Sequence, residues 1–205
     1  MAGKLIVLEG LSAVGKTTVA NLLAKQLGAV LVDTVPAEFD ELRQMVCQQN
    51  SIDVRYILFL AAIVSSSQTV MHNLQSGLNV VCESFIYRTI AFHRGMGSQL
   101  DYRISKGIPT PDFVFHLTCR HDERRQRLFS REKAITKWDL LAEEAADRIL
   151  HEYNAFRMLE IDTTSISISE LVAGLTALVE NNEDSQSLGR NQDLFPIASL
   201  TSACV

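Results

Sequence analysis

The run Gly10-Leu11-Ser12-Ala13-Val14-Gly15-Lys16-Thr17-Thr18 has the spacing G-x-x-x-x-G-K-T, which suits the grip of a polyphosphate. Gly10 and Gly15 let a loop wrap closely without side-chain clashes. The amides of Ser12, Ala13, Val14 and their neighbours through Thr18 then point inward as an anion nest. A helix starting near Lys16 adds the positive end of its dipole. Lys16 supplies a point charge for the β- and γ-phosphates, and Thr17 a hydroxyl for Mg²⁺. The expected occupant is a nucleoside triphosphate with Mg²⁺.

The flanking residues supply what such a loop needs. Leu5-Ile6-Val7-Leu8 is apolar on both faces, as a central parallel strand must be. Val19, Leu22, Leu23 and Leu27 form a helical face, and Gly28 stops that helix. Further strands are expected at Ala29–Val32, Leu78–Cys82, Phe113–Leu117 and Met158–Ile161. Helices are expected at Glu38–Gln49, Ile52 to about Gln75, Phe85–Arg94, Asp122 to about Arg131, and Trp138 to about Phe156. Ser167 and Glu170 have capping-box spacing for a last helix. This alternation predicts an α/β fold: a three-layer α/β/α sandwich around a five-stranded parallel sheet. One domain over residues 1–180, with a lid near 124–138, would precede an irregular tail over 181–205. Ligands gather at the carboxyl ends of such strands, which here carry Glu9, Asp33, Glu83 and Asp162.

Other residues have types that could act on a phosphoryl group. Glu83 could hold Mg²⁺ through water or touch an acceptor. Asp33, Glu38 and Asp40 compete for the role of a base, and surface or capping uses suit each equally. Arg127 and Arg131, four apart, could clamp a transferring phosphoryl from one helical face, with Arg124 behind them. The same residues also fit a solvated, charge-laced helix. Arg88 follows Glu83 by a turn, as a phosphate contact or a surface ion pair. Phe85, Tyr87 and Phe92 suit stacking on a ring or core packing. Trp138 reads as a packed hinge, and the five histidines show no catalytic or metal spacing.

Composition narrows the class. The net charge of −5, without a long basic run, argues against a nucleic-acid surface. Cys47, Cys82, Cys119 and Cys204 form no C-x-x-C pair, which fits reduced thiols in a cytoplasmic protein. No signal peptide is visible, and the apolar stretch Ile57–Val64 is short for a membrane span.

Leu5-Ile6-Val7-Leu8-Glu9-Gly10 followed by Gly15-Lys16-Thr17-Thr18 resembles the opening of thymidylate kinases. The likeness runs from about Lys4 to Glu180. Val80 to Phe85 sits where the family has apolar-apolar-Asp-Arg-Tyr, and Pro111 to Leu117 resembles its Pro-Asp-strand segment. Arg127 and Arg131 fall where its lid carries arginines, and Ile161-Asp162-Thr163 resembles its last strand and adenine-side loop. The resemblance implies ATP, Mg²⁺, a small-molecule acceptor and a possible homodimer through the long helix.

Three departures remove positive charge. Glu83-Ser84 replaces the family's Asp-Arg pair, Pro36-Ala37-Glu38 replaces Pro-x-Arg, and the long helix is apolar around Ile63, with only Arg55 nearby. Ser12 replaces the loop aspartate. An acid-lined pocket predicts phosphoryl transfer to a hydroxyl on a nucleoside-like or other neutral or cationic metabolite. The alternatives are a thymidylate kinase and a nucleotide-dependent switch without a small acceptor.

Overall fold

The computed structural model describes residues 2–100, 107–132 and 134–181. The expected tail, and part of the polar stretch before Gly107, lie outside the described residues. Five parallel strands form one sheet in the order β2-β3-β1-β4-β5. They are β1 (Leu5–Glu9), β2 (Val30–Val32), β3 (Val80–Glu83), β4 (Phe113–Thr118) and β5 (Leu159–Asp162). The helices are α1 (Lys16–Gln26), α2 (Asp40–Gln48), α3 (Ile52–Gln75), α4 (Ile86–Gly95), α5 (His121–Ser130), α6 (Lys137–Glu144), α7 (Ala146–Tyr153) and α8 (Ile168–Asn181).

β1 is central because it is apolar throughout: Leu5, Ile6, Val7 and Leu8 are all fully buried. Each such side chain contributes about 1.5–3 kcal/mol on leaving water. β3 pairs with it from Leu5↔Val80 to Leu8↔Glu83, and β4 from Ile6↔Phe113 to Glu9↔His116. These registers bring the carboxyl ends of β1, β3 and β4 together around the loop after β1. α1 packs against α8, while α4 packs against both α3 and α7. A Cβ on Gly95 would lie 2.7 Å from the amide nitrogen of Ile149, so glycine sets how closely α4 and α7 approach.

Several boundaries differ from the sequence expectation. β2 is an edge strand with Leu31 exposed, not a buried one. The expected helix over Glu38–Gln49 divides into a 3₁₀ turn, Ala37–Phe39, and α2. The helix expected from Trp138 to Phe156 breaks at Ala145 into α6 and α7. Thr136 and Asp139 form a capping box that starts α6 one residue before Trp138. α3 as a whole is long and apolar enough to cross a membrane by length and composition. Tyr56, Ile63 and Val70 along it are nevertheless fully buried in the protein core.

Candidate active site

The loop between β1 and α1 has the backbone its sequence requires. Gly10 has φ 135°, and a Cβ there would stand 2.3 Å from the Leu117 carbonyl oxygen. Gly15 caps α1 at φ 99°. Ala13 adopts φ 70°, a left-handed conformation that costs a non-glycine residue on the order of 1 kcal/mol. The Thr163 hydroxyl, 3.4 Å from the Val14 carbonyl, ties the loop to the end of β5.

Lys16 is 5% exposed, and its Nζ donates to the Leu11 carbonyl at 2.7 Å. Burial, reinforced by the Arg88 guanidinium, pushes its pKa down to about 7, against the pull of Glu83 and Glu9. Glu9 closes β1 and is fully buried. Its Oε1 accepts the Phe85 amide at 2.9 Å, and its Oε2 accepts the Tyr153 hydroxyl at 3.3 Å. That hydroxyl also accepts the Gly10 amide at 3.4 Å. Burial pushes the Glu9 carboxyl up to about 7, with the Phe85 amide and Arg88 opposing it.

Beyond Lys16 the site is basic. Arg88 lies over the Phe92 ring at 4.1 Å and close enough to Lys16, Glu9 and Arg55 to bias each electrostatically. Arg55 is held between Phe59, at 4.4 Å, and Trp138, at 4.8 Å, and its Nη1 lies 2.7 Å from His93 Nε2. Burial pushes Arg55 down to about 10, and Arg88 adds to the effect. The Nε atoms of Arg55 and Arg88 are buried without a hydrogen-bond partner. Both side chains are only partly covered.

The expected acid lining takes a different form. Glu38 is exposed on the 3₁₀ turn and accepts the Ser65 hydroxyl at 3.1 Å. Asp33 is exposed just past β2, and Asp40 pairs with Arg43 at 2.7 Å on α2. Glu83, with Glu9, is close enough to act on Lys16. Ser84, in the place of the family's arginine, has φ 67°. Its carbonyl and that of Glu83 are both within reach of the Thr34 hydroxyl, at 2.5 and 3.2 Å.

The arginines expected of a lid are also arranged differently. α5 ends at Ser130, so Arg131 lies past the helix and does not share a face with Arg127. Arg127 pairs with Glu123 at 3.1 Å, and Arg131 with Asp139 at 2.9 Å. Arg124 is the one that reaches the phosphate loop. It is 4% exposed, with Nη1 3.5 Å from the Ser12 carbonyl oxygen and Nη2 2.6 Å from Glu143 Oε2. His121 and Arg125 approach the other Glu143 oxygen at 3.3 and 3.7 Å. Asp162 is exposed and closes a turn, accepting the Thr164 hydroxyl at 2.5 Å and its amide at 2.9 Å. Those two bonds hold its carboxyl below the usual range.

Phe85, Tyr87 and Phe92 are all buried, so they pack the core and offer no ring to a ligand. Trp138 is buried, as packing requires, with its Nε1 donating to the Cys47 carbonyl at 2.8 Å. No sequence motif marks Tyr153 or His93. For His93 a local signal exists: Thr89 stands one helical turn before it, as Arg55 does before Phe59.

Residues 8–172 match the family described as thymidylate kinase. A probable thymidylate kinase of Pyrococcus abyssi is 28% identical over 201 residues, covering 88% of this chain and 98% of that protein. One from Methanococcus maripaludis, strain C7, is 28% identical over 184 residues, covering 82% and 90%. The solved thymidylate kinase of Candida albicans superposes with a TM-score of 0.72 at 19% identity, covering 88% of this chain and 92% of that one. With a nucleotide-type phosphate loop, a five-stranded sheet that presents it and a family match over most of its length, this chain is an ATP-dependent small-molecule kinase and belongs to the thymidylate kinase family.

Proposed function

We propose that the enzyme passes the γ-phosphoryl of ATP to the 5′-phosphate of thymidylate. A phosphate oxygen of the acceptor forms the new P–O bond, the bond to the β-phosphate oxygen breaks, and ADP leaves. The observation that carries this reading is the basic run Lys16, Arg88 and Arg55, two of whose guanidinium groups keep a buried Nε–H unpaired. A dianionic acceptor needs such donors. It needs no general base, because its attacking oxygen is already ionised at neutral pH. Asp33 and Glu38, both solvent-exposed, are then free of any catalytic duty. The relatives described above, probable thymidylate kinases, point to the same acceptor. This reading takes up the thymidylate kinase alternative in place of the hydroxyl of a nucleoside-like, neutral or cationic metabolite.

Thr17 and Glu83 offer a hydroxyl and a carboxylate, oxygen donors that suit a hard cation such as Mg²⁺. Among the described residues no group of three metal-ligating side chains stands together, so the phosphate oxygens would complete the set. The ion would neutralise charge on the triphosphate. Lys16 and Arg124 would flank the phosphates from the loop and from α5. Arg127 and Asp162 remain second-line candidates for ATP contact. We further propose a homodimer, because α3 exposes Val54, Ile57 and Val64 beside Leu42 and Met45 of α2. The reduced thiols Cys47, Cys82 and Cys119 fit a cytoplasmic enzyme.

The test is ADP release with ATP, Mg²⁺ and a panel of thymidylate, other nucleoside monophosphates, nucleosides and amino sugars. Thymidylate should support the fastest turnover. A preference for thymidine or an amino sugar over thymidylate would restore the hydroxyl-acceptor reading, and acceptor-independent turnover alone would favour a switch.

A further inference from the structure

We propose that His93 is a positioning residue that acts through Arg55, fixing the guanidinium in the orientation in which it, with Arg88, meets the acidic group of the acceptor. The inference deepens the reading of a phosphate-bearing acceptor and rests on it.

His93 Nδ1 lies 2.6 Å from the Thr89 carbonyl oxygen, one turn earlier in α4. A carbonyl can only accept, so Nδ1 carries the proton. Nε2 lies 2.7 Å from Arg55 Nη1, which can only donate, so Nε2 must present its lone pair. The two contacts together admit one tautomer of the neutral ring. A second proton would set N–H against N–H. Burial, with Arg55 and Arg88 adding repulsion, pushes the pKa down to about 3, in keeping with that geometry.

The ring itself cannot turn. Tyr56 stacks on it at 4.8 Å with planes 4° apart, and Phe59 meets it at 5.7 Å. Arg55 is therefore gripped from three directions: the imidazole lone pair, the Phe59 face and the Trp138 face. The Cys47 thiol and the Asp139 carboxylate also lie near enough to act on it. A long, flexible side chain held this way forfeits its rotamer entropy on folding rather than on ligand binding. Its Nε–H is buried with no hydrogen-bond partner in the protein, a donor left unsatisfied beside the cleft. Trp138, the sole tryptophan of the chain, lies against the same guanidinium, so its emission reports directly on what Arg55 binds.

Two substitutions in the full-length protein separate hydrogen bonding from packing. His93→Phe keeps a ring against Tyr56 and removes both hydrogen bonds. His93→Gln keeps one donor and one acceptor. His93→Leu replaces the first if it does not fold. His93→Phe should raise KM for thymidylate by about tenfold, the scale of one charge-assisted hydrogen bond, with KM for ATP unchanged and kcat little altered. His93→Gln should recover most of the loss. The midpoint of the Trp138 emission change on titrating thymidylate should move by the same factor. The proposal is overturned if His93→Phe leaves both readouts unchanged, if both KM values rise together, or if Gln serves no better than Phe. If the unsubstituted enzyme does not use thymidylate, the proposed function fails separately. Inorganic phosphate then replaces thymidylate in the emission titration: a weaker midpoint in His93→Phe supports the positioning role, and an equal midpoint or no response ends it.

Discussion

The Tyr153 hydroxyl bridges Glu9 and Gly10, donating to the Glu9 carboxylate at 3.3 Å and accepting the Gly10 amide at 3.4 Å. One phenol on α7 thus joins the end of the central strand to the first glycine of the phosphate loop. Tyr153→Phe leaves a buried carboxylate oxygen and a buried amide without their partner. The expected cost is about 1–3 kcal/mol of stability, read by urea denaturation, together with a higher KM for ATP.

Lys16 gives a proton-linked signature. Its ordinary pKa of 10.5 is pushed down to about 7, so at pH 8 most of the ammonium has lost its proton. A bound triphosphate favours the charged form and draws a proton back. Titration calorimetry at pH 8 in buffers of different ionisation enthalpy should show uptake of about 0.5–1 proton per ATP. Lys16→Met should abolish that uptake, and should lower kcat by at least about 100-fold, as removal of a charge stabiliser does.

The carboxylates once expected to act as a base provide the converse test. Loss of a general base lowers turnover by about 10²–10⁴-fold. Asp33→Asn and Glu38→Gln should each stay within about threefold of the parent kcat with thymidylate, since a phosphate acceptor has no proton to surrender. Arg88→Ala should instead raise KM for thymidylate by about ten- to a hundredfold, matching the loss of one charged hydrogen-bond donor.

His93 should make the protein acid-sensitive. Its folded pKa is near 3, against an ordinary value of 6.5, so the unfolded chain binds the extra proton first. The contribution to stability is complete above pH 6.5 and is lost as the pH falls toward 3. Buried Glu9, raised from 4.5 to about 7, works the other way, since its contribution is complete below pH 4.5 and fades as the pH rises to 7. The difference between the parent and His93→Gln isolates the histidine. As the pH is lowered from 7 to 4.5, the melting temperature of the variant relative to the parent should rise.

The apolar face of α3 yields a hydrodynamic expectation. Ile57 is 57% exposed, and Val64, two turns later, is 42% exposed. Ile57→Glu should convert the homodimer proposed above to a monomer in sedimentation velocity while leaving the melting temperature nearly unchanged, because the side chain contributes little to the monomer's own core.

The phosphate loop was readable residue by residue, because backbone geometry dictates its glycines and phosphate chemistry dictates Lys16 and Thr17. The five strands were readable because each is a short apolar run between turn residues. The break at Ala145 was not, since Trp138 to Phe156 keeps a helical period across it. The basic side of the site was harder to read for a related reason. Motif positions showed arginines lost at Ser84 and Glu38, whereas the compensating cations stand elsewhere, with Arg88 one turn into α4 and Arg55 at the start of α3. Charge in a pocket is set by where side chains end, and a sequence shows only where they begin. Arg124 illustrates the same point from the lid, being nearer the loop than either arginine favoured by spacing.

Glu143 deserves a last consequence. With Arg124, His121 and Arg125 of α5 all turned toward one partly covered carboxylate, Glu143 of α6 is their stand-in anion. A triphosphate reaching for Arg124 must trade places with that carboxylate, so its arrival is an exchange of partners and not a simple capture.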